Sequence, residues 1–316
     1  MLDYSIYYRR PIRVDKISTE LEKFDVFISA FNSSDRIGSV FTDVRAGRKI
    51  WLIHPEYQYT PIDLPAGQET VTPHSTDEVI QVNVLLDRLG ELRGKSLCID
   101  ATGFMRHVLA FLVPKLASIG LTEFTVLYSE PQAYKKQENT SFSTRTSGVV
   151  RPVRGTGGRP NPSARNVLVI GVGYDSKLIS EVAAHKDGAE VYPLFAFPSL
   201  SPDMYQQSAI RAASGSGEVA VPEQWVTKRR FAPANDPFST AAVVRSIVEE
   251  VDRQGVLANI YLSPLATKVQ TLGFALYWHL EGRLRGDVSI LLPECTTYSR
   301  ETTTGIKRLW SYTVEF

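Results

Sequence analysis

Cysteine and histidine are scarce in this sequence, and their scarcity excludes several kinds of site. The 316 residues include two cysteines, Cys98 and Cys295, each inside an apolar run, and five histidines scattered along the chain. No Cys/His spacing resembles that of a zinc site, so the sequence predicts no metal and no cofactor. Two isolated cysteines are typical of buried free thiols in a reducing compartment rather than of a disulfide framework.

An excess of charge and a long apolar run are also missing. The net charge is +1, from 35 basic and 34 acidic residues, so overall charge gives no argument for a nucleic-acid or membrane partner. The N-terminal residues MLDYSIYYRRPIRVDK lack the apolar core of a signal peptide, and no apolar stretch reaches the length of a membrane span. We therefore expect a cytoplasmic protein with no membrane partner. Direct nucleic-acid binding stays open but is not favoured.

What the sequence does contain is an alternation of short apolar runs with longer segments of helical period. The runs FDVFISA, SLCID, NVLVIGV and NIYLS are rich in Val, Ile and Phe, which is typical of a parallel-sheet α/β protein. In 135–165 the period fails, and the abundance of Ser, Thr, Gly, Pro and Arg favours a linker or mobile loop. The sequence thus predicts a first half over 1–140, a linker over 141–165 and a second half over 166–316.

The order of elements repeats after the predicted linker. FDVFISAFNSSD matches NVLVIGVGYDSK at an offset of 142 residues, and VLYSEPQAY matches ILLPECTTY at an offset of 164. The growing offset predicts an insertion in the second half, near 199–236. We therefore expect an α/β fold with two Rossmann-like, mainly parallel sheets in tandem. The alternative is that any two Rossmann-like domains share this rhythm, and it also gives two α/β units.

Polar or small residues follow the first apolar run of each half. Ligands of an open parallel sheet bind outside the carboxyl ends of its strands, where helix N-termini favour phosphate. The candidate ligand-binding residues here are Ser29, Asn32, Asp35 and Arg36 in the first half, and Gly171, Gly173, Tyr174 and Asp175 in the second. The glycines would let a ligand approach the backbone, but the dinucleotide fingerprint lacks its third glycine, so NAD binding of that type is not expected. A tight, capped turn between strand and helix is the alternative interpretation.

A threonine and a basic residue follow a later apolar run in each half. The candidate residues are Asp100, Thr102, Gly103 and Arg106 after SLCID, and Thr267 and Lys268 after NIYLS. A hydroxyl group, free N–H groups and a cation together form a phosphate cradle, so we expect the threonines and the basic residues to hold phosphates in a cleft shared by both halves. Asn32 and Asp175 are expected to contact base or ribose edges. The alternatives are a helix cap for Thr102 and a surface ion pair between Arg106 and Asp100.

Other polar residues carry weaker predictions. Glu56, Glu130 and Glu294 follow apolar runs and could act as acids or bases, although exposed loop carboxylates are the commoner case. His107 has no orienting partner in the sequence, which favours a structural role, and no nucleophile is predicted. Two basic clusters could contact an anionic partner, the arginines of 145–165 and the run 228–231, but for the arginines a solvated linker is favoured.

The polar loop after the first run and the motif after the later run resemble those of a CARF domain, the cyclic-oligonucleotide sensor of CRISPR immunity. Ala266-Thr267-Lys268 is close to the family motif, and Thr102-Gly103-Phe104 is looser. Two such units in one chain resemble the SAVED sensors of bacterial antiphage systems. The resemblance covers both halves and implies a nucleotide-binding protein that senses a phosphorylated second messenger in prokaryotic antiphage defence. Because no effector domain is attached, it implies a free-standing sensor, a separate effector protein as partner, or a protein that degrades its ligand.

Two further functions stay open. One is an enzyme at the same cleft, either a nucleotide hydrolase or an enzyme that transfers the glycosyl group of NAD or a nucleoside. The other is a non-catalytic assembly subunit of a larger defence complex. FDVFISAFNSSDR also resembles the opening strand of a TIR domain, but the sequence does not identify the glutamate on a later helix that TIR domains need for NAD cleavage.

Overall fold

The chain forms two compact units. The computed structural model describes residues 2–135, 142–201, 204–214 and 224–316. The first unit comprises Ile6–Arg145 and Cys295–Phe316, and the second comprises Met1–Ser5 and Thr146–Glu294.

Strands alternate with helices along most of the described chain. The strands are β1 (Arg9–Ile12), β2 (Phe24–Ala30), β3 (Ala46–Leu52), β4 (Glu69–Val71), β5 (Leu97–Asp100), β6 (Glu123–Tyr134), β7 (Ser143–Pro152), β8 (Arg165–Val172), β9 (Glu190–Ala196), β10 (Arg230–Ala232), β11 (Ala258–Pro264), β12 (Val288–Tyr298) and β13 (Thr303–Glu315). The helices are α1 (Ile17–Glu20), α2 (Asp35–Asp43), α3 (Glu78–Leu89), α4 (Arg106–Ser118), α5 (Ser176–His185), α6 (Met204–Ser214), α7 (Gln224–Thr227), α8 (Pro237–Arg253), α9 (Lys268–Tyr277) and α10 (Arg283–Arg285). The chain passes from one unit to the other after Ser5, within β7 and again within β12.

The sheet of the first unit has the order β1-β13-β6-β5-β2-β3-β4. The neighbours from β6 to β4 are parallel, whereas β13 is antiparallel to both β6 and β1. The strand order reverses between β2 and β5, because β2 connects towards β3 on one side and β5 connects towards β6 on the other. Such a switch point leaves a crevice at the carboxyl ends of the two central strands, which is where doubly wound sheets bind ligands.

The sheet of the second unit has the order β10-β9-β8-β11-β12-β7. The segments matched in the sequence, β2 with β8 and β6 with β12, occupy the same positions in the two sheets, and the reversal falls between β8 and β11. These two sheets, flanked by helices, confirm the predicted α/β fold with two Rossmann-like, mainly parallel sheets.

The central strands form where the sequence is continuously apolar. In β2 the side chains of Phe27, Ile28 and Ala30 are fully buried, and in β8 those of Val167, Leu168 and Val169 are too. Parallel strands covered by helices on both faces bury every side chain, so they carry apolar runs rather than an alternating pattern. This is why the sequence identifies these strands and places their polar ends correctly.

The segment predicted as a linker over 141–165 differs from that prediction. It contains strand β7, which lies at the edge of the second unit's sheet and exposes most of its side chains. An edge strand tolerates polar and charged side chains, and its Thr, Val and Ser composition therefore reads as a loop when only polarity is considered. Arg151 and Arg165 of this segment pair with Glu294 and Glu190 at 2.5 and 2.6 Å.

The predicted insertion near 199–236 lies between β9 and α8 and includes β10. The described part of it contains α6 and α7, and residues 202–203 and 215–223 lie outside the described residues. In the basic run 228–231, Lys228 pairs with Glu190 and Arg230 pairs with Glu250 at 2.5 Å. None of the described helices is long and apolar enough to cross a membrane.

Candidate functional site

The carboxyl edge of the first unit's sheet brings together most of the residues predicted for the first half. Ser29 and Asp100 are register partners at the ends of the adjacent strands β2 and β5. The Ser29 hydroxyl donates to Asp100 Oδ2 at 3.1 Å, and both side chains are fully buried. Asp100 Oδ1 accepts from the backbone N–H of Thr102 at 3.0 Å, so this carboxyl group fixes the turn at Ala101–Gly103 that follows β5.

Burial raises the pKa of Asp100 above its ordinary value, although hydrogen bonds from Thr102 and Ser29 and the charge of Arg36 oppose the shift. A raised pKa in the folded state means that the folded chain binds this proton more tightly than the unfolded chain does. The contribution of Asp100 to stability is therefore full below the ordinary pKa of 3.8 and is lost as pH rises through the folded-state pKa.

Replacing Asp100 with asparagine is expected to remove this loss. The amide oxygen keeps the acceptor for Thr102, and the NH₂ group donates to Ser29. We expect the free energy of unfolding of Asp100→Asn, relative to wild type, to increase as pH rises from about 4 to about 7. Urea unfolding at several pH values measures it.

Asp25, at the amino end of β2, supplies a matched control for this prediction. Hydrogen bonds from the backbone and side chain of Ser96 lower the pKa of this exposed carboxyl group. Its contribution is therefore lost as pH falls, and Asp25→Asn should change the pH dependence with the opposite sign. A pH-independent difference between Asp100→Asn and wild type would contradict the burial of the ionised form.

A second buried network joins β6 to α2. The Thr102 hydroxyl accepts from the backbone N–H of Ser129 and bonds to the Ser129 hydroxyl, both at 3.1 Å. The Arg36 guanidinium donates to the Ser129 carbonyl oxygen and, from Nε, to Thr303 Oγ1 at 3.0 Å. Thr102 is 5 % exposed and Arg36 is 9 % exposed. These side chains thus hold the strand ends together and leave little of their own surface for a ligand.

Three of the loops at this edge are joined by a chain of hydrogen bonds through Tyr57. Asn32, after β2, donates from Nδ2 to the Tyr57 hydroxyl at 3.2 Å. Tyr57 lies in the loop after β3, and its hydroxyl donates at 3.0 Å to the carbonyl oxygen of Gly103, which lies in the turn after β5. Burial raises the pKa of Tyr57, so the hydroxyl stays protonated and remains a donor. The predicted residues Asn32 and Gly103 are therefore connected by a residue that the sequence did not single out.

Gly103 is required by packing rather than by an unusual backbone angle. A Cβ atom at this position would overlap the carbonyl oxygen of Ala30 and come within 3.1 Å of its carbonyl carbon. The turn after β5 thus lies directly against the end of β2, and only glycine leaves room for it.

The partly exposed predicted residues of the first unit are Asn32, Asp35 and Arg106. The exposed carboxylate of Asp35 accepts from the backbone N–H of Gly305 at 3.1 Å. Arg106 is the first residue of α4, and its charge, like that of Arg36, opposes the rise that burial causes in the pKa of Tyr128 on β6. For Arg36 this charge is also fixed by a hydrogen bond to β6, at the Ser129 carbonyl oxygen.

An aromatic surface lies beside Asn32. The guanidinium of Arg300 stacks on the half-buried ring of Tyr59 at 4.4 Å and donates from Nε to the carbonyl oxygen of Tyr57 at 2.7 Å. The Ser33 hydroxyl bonds to the Tyr59 hydroxyl at 2.8 Å. Arg300 belongs to the last part of the chain, so no local sequence signal connects it with Tyr59.

In the second unit, the residues predicted after β8 form a tight capped turn. Asp175 is the N-cap of α5, and its carboxylate accepts from the backbone N–H of Leu178 at 3.5 Å. A Cβ atom on Gly173 would overlap the carbonyl oxygen of Leu265, so this glycine allows the turn after β8 to pack against the turn after β11. Tyr174 is buried in the same turn, and Gly171 is buried before it, inside β8. The close backbone approach at Gly173 is thus made by the chain itself.

Thr267 and Lys268 lie at the start of α9. The Thr267 hydroxyl accepts from the backbone N–H of Gln270 at 3.1 Å and donates to the carbonyl oxygen of Ala234 at 2.8 Å. It therefore caps the helix and ties it to the segment before α8. Lys268 is the first helical residue and is partly exposed.

The arrangement in the first unit offers hydrogen-bond donors, cations and aromatic rings around one switch point, which suits recognition of a flat, anionic ligand. Among the residues that the structure describes, no group of three or more His, Cys, Asp or Glu side chains could hold a metal ion. No protein-family model matches this chain, and no curated protein matches it either.

Proposed function

We propose that the protein binds a phosphorylated nucleotide at the carboxyl edge of the first unit, with a phosphate group at the first turn of α4. The proposal rests on two hydrogen bonds of the Tyr57 hydroxyl, to Asn32 and to Gly103, which join the three loops after β2, β3 and β5. A ligand site needs loops held in a fixed arrangement, and these loops surround the switch point of the sheet.

The first turn of α4 supplies the anion-binding end of the proposed site. In α3, α5, α8 and α9 the side chain of the N-cap Asp or Thr caps the first turn, whereas the N-cap residue of α4, Met105, makes no such hydrogen bond, and neither does Ser34 at α2. The first N–H groups of a helix and its dipole favour an anion. Arg106 adds a positive charge in the same turn and makes phosphate the best-matched group.

The loop after β3 supplies the other end of the proposed site. The Arg300 guanidinium, stacked on the ring of Tyr59, offers a flat cationic face beside Ser33. Asn32 bonds Tyr57 and Ser34 and keeps a second amide hydrogen that can bond a base edge. Bases stack on aromatic rings and on Arg planes, so a base placed here is a natural partner for the phosphate at α4. The shared cleft expected from the sequence stays a prediction, because the support described here comes from the first unit alone.

The wider role that we propose is sensing of a cyclic oligonucleotide in prokaryotic antiphage defence. This part of the proposal rests on the resemblance of the sequence to CARF and SAVED sensors. The groups at the carboxyl edge of the first unit support binding of a nucleotide in general.

Arg106→Ala is expected to weaken nucleotide binding by about 10- to 100-fold, because it removes one charge-assisted contact to phosphate. Isothermal titration of the full chain against cyclic di-, tri- and tetra-adenylate, cyclic di-guanylate and ATP measures the effect. Arg253→Ala is the matched control, since Arg253 is an exposed arginine in the last turn of α8. Absence of binding by wild type to every nucleotide of the panel would refute the proposed function, and equal binding by Arg106→Ala would refute the position of the phosphate.

A further inference from the structure

A row of four polar side chains lies between β3, α3 and α4, outside the network around Asp100. The row is His54, Gln81, Glu56 and His107 in spatial order. His54, Gln81 and Glu56 are fully buried, and the His107 side chain is 14 % exposed. A buried polar row of this length is costly unless every member is hydrogen-bonded. The donor and acceptor of each hydrogen bond follow in turn from the backbone N–H at one end of the row.

The backbone sets the direction of each hydrogen bond in the row. Met105 donates its N–H to His54 Nε2 at 3.3 Å, so the proton of His54 is on Nδ1, which donates to Gln81 Oε1 at 2.6 Å. The Gln81 amide then donates from Nε2 to Glu56 Oε1 at 3.1 Å. Glu56 is left as an acceptor for the next member of the row.

Glu56 is a carboxylate in this row. Burial by itself would raise its pKa, but the hydrogen bond from His107 and the electrostatic influence of the His107 and His54 rings outweigh burial and hold the pKa below its ordinary value. The carboxylate accepts from His107 Nε2 at 3.1 Å, and Nε2 also lies 3.1 Å from the carbonyl oxygen of Thr76. Both acceptors therefore keep the proton of His107 on Nε2.

The other ring nitrogen of His107, Nδ1, is consequently an acceptor with a fixed direction. No described residue bonds to it, and it belongs to the part of the side chain that solvent reaches. A histidine whose far nitrogen is held by a carboxylate has the geometry of a general base. His107 is the second residue of α4, directly after Arg106, and neighbouring helix residues point in different directions. His107 faces the loops after β3 and β4, where Glu56 and Thr76 lie, so its ring lies beside the first turn of α4.

We propose that His107 is a general acid–base catalyst that hydrolyses a phosphoester bond of the nucleotide bound at this turn. The inference rests on the proposed function and goes beyond binding. His107 Nδ1 takes a proton from a water molecule as the water oxygen bonds to phosphorus. The bond from phosphorus to the leaving oxygen breaks, its electron pair stays on that oxygen, and the proton on Nδ1 passes to it. Glu56 is a positioning residue, because it orients the ring and stabilises the imidazolium that forms between the two transfers.

The experiment incubates the full-length chain with each nucleotide of the same panel and follows cleavage by chromatography and phosphorus NMR, with affinity measured separately. His107→Ala is expected to lower kcat by about 100- to 10,000-fold, with affinity within about threefold of wild type. Added imidazole should restore part of the activity of this variant, which a purely structural defect would not allow. The control is His74→Ala, which changes an exposed histidine of the loop before α3 and should leave turnover unchanged.

Glu56→Gln is expected to lower kcat by about 10- to 1,000-fold without weakening binding, because the neutral amide no longer stabilises the imidazolium. If Glu56→Gln does not fold, the turnover of His107→Ala alone tests the inference, because the His107 side chain reaches the surface and its loss should be tolerated. Binding by wild type without cleavage overturns the inference and leaves the proposed function intact, whereas absence of binding overturns both. Cleavage that continues unchanged in His107→Ala also overturns the inference.

Discussion

Replacing Gly103 with alanine is expected to destabilise the first unit by about 3 kcal/mol, at the upper end of what overpacking by one methyl group costs. The new Cβ atom would overlap the carbonyl oxygen of Ala30 and lie 3.1 Å from Cδ1 of Ile37. The first of these atoms is backbone at the end of a central strand, so the clash cannot be relieved by rotating a side chain. Either the turn after β5 moves away from β2, or β2 is distorted.

Urea unfolding, with hydrogen exchange of the β2 and β5 amides to report on the first unit, measures this change. Gly38→Ala is the matched control, because Gly38 lies inside α2 and a Cβ atom there meets nothing within 4 Å. Alanine is the better helix former, so this control should be more stable than wild type by about 0.5 to 1 kcal/mol. A Gly103→Ala variant that lost less than about 1 kcal/mol would show that the two strand ends are not in contact as described.

Arg36→Ala is expected to destabilise the first unit by about 3 kcal/mol, because it leaves buried acceptors without their donor. The guanidinium bonds the carbonyl oxygen of Ser129 and the hydroxyl of Thr303, and its charge also lowers the pKa of the buried Asp100. Removing it therefore disconnects α2 from β6 and β13 and leaves the Asp100 carboxylate harder to ionise.

The same unfolding measurement tests Arg36→Ala against Arg88→Ala. The side chain of Arg88 is 59 % exposed and pairs with Glu69 at 2.6 Å, so its loss should cost about 0.5 kcal/mol or less. Arg36→Lys should fall between the two, because it keeps the charge but not the two separate donors. Equal stabilities of the two alanine variants would contradict the buried network.

The fold class could be predicted because the central strands carry their own signal. β2 and β8 are buried on both faces, and their apolar runs are visible without any knowledge of neighbouring strands. Because each apolar run ends where its strand ends, the sequence also places the polar residues that come directly after the strands. The sequence alone therefore predicts that Ser29, Asp100 and Thr102 lie at one edge of a sheet.

The edge strands could not be predicted in the same way. β7 exposes most of its side chains, and β13 alternates buried and exposed residues while pairing with β6, which lies far away along the chain. Pairing between distant segments depends on the whole fold, and no local pattern reports it. Thr303 and Arg300 reach the site through this pairing and the segment before it, so they were missed.

The sequence identified polar residues at the switch point but not what each of them does. Thr102 and Arg36 were expected to contact a ligand, and the structure has them bonded to Ser129 within the unit. The type of a residue shows that its side chain can form a hydrogen bond. Its burial and its partners within the fold decide whether that side chain is still free to bond a ligand. His107 was set aside for lack of an orienting partner, and Glu56, its partner, lies 51 residues earlier in the chain.

The proposed binding of a nucleotide phosphate at the first turn of α4 can be observed directly. A crystal structure of the full chain with the tightest-binding nucleotide of the panel tests it most directly. We expect phosphate oxygens within hydrogen-bond distance of the first backbone N–H groups of α4, in contact with Arg106 and beside His107. A phosphate bound anywhere else on the chain, with this turn empty, would contradict it.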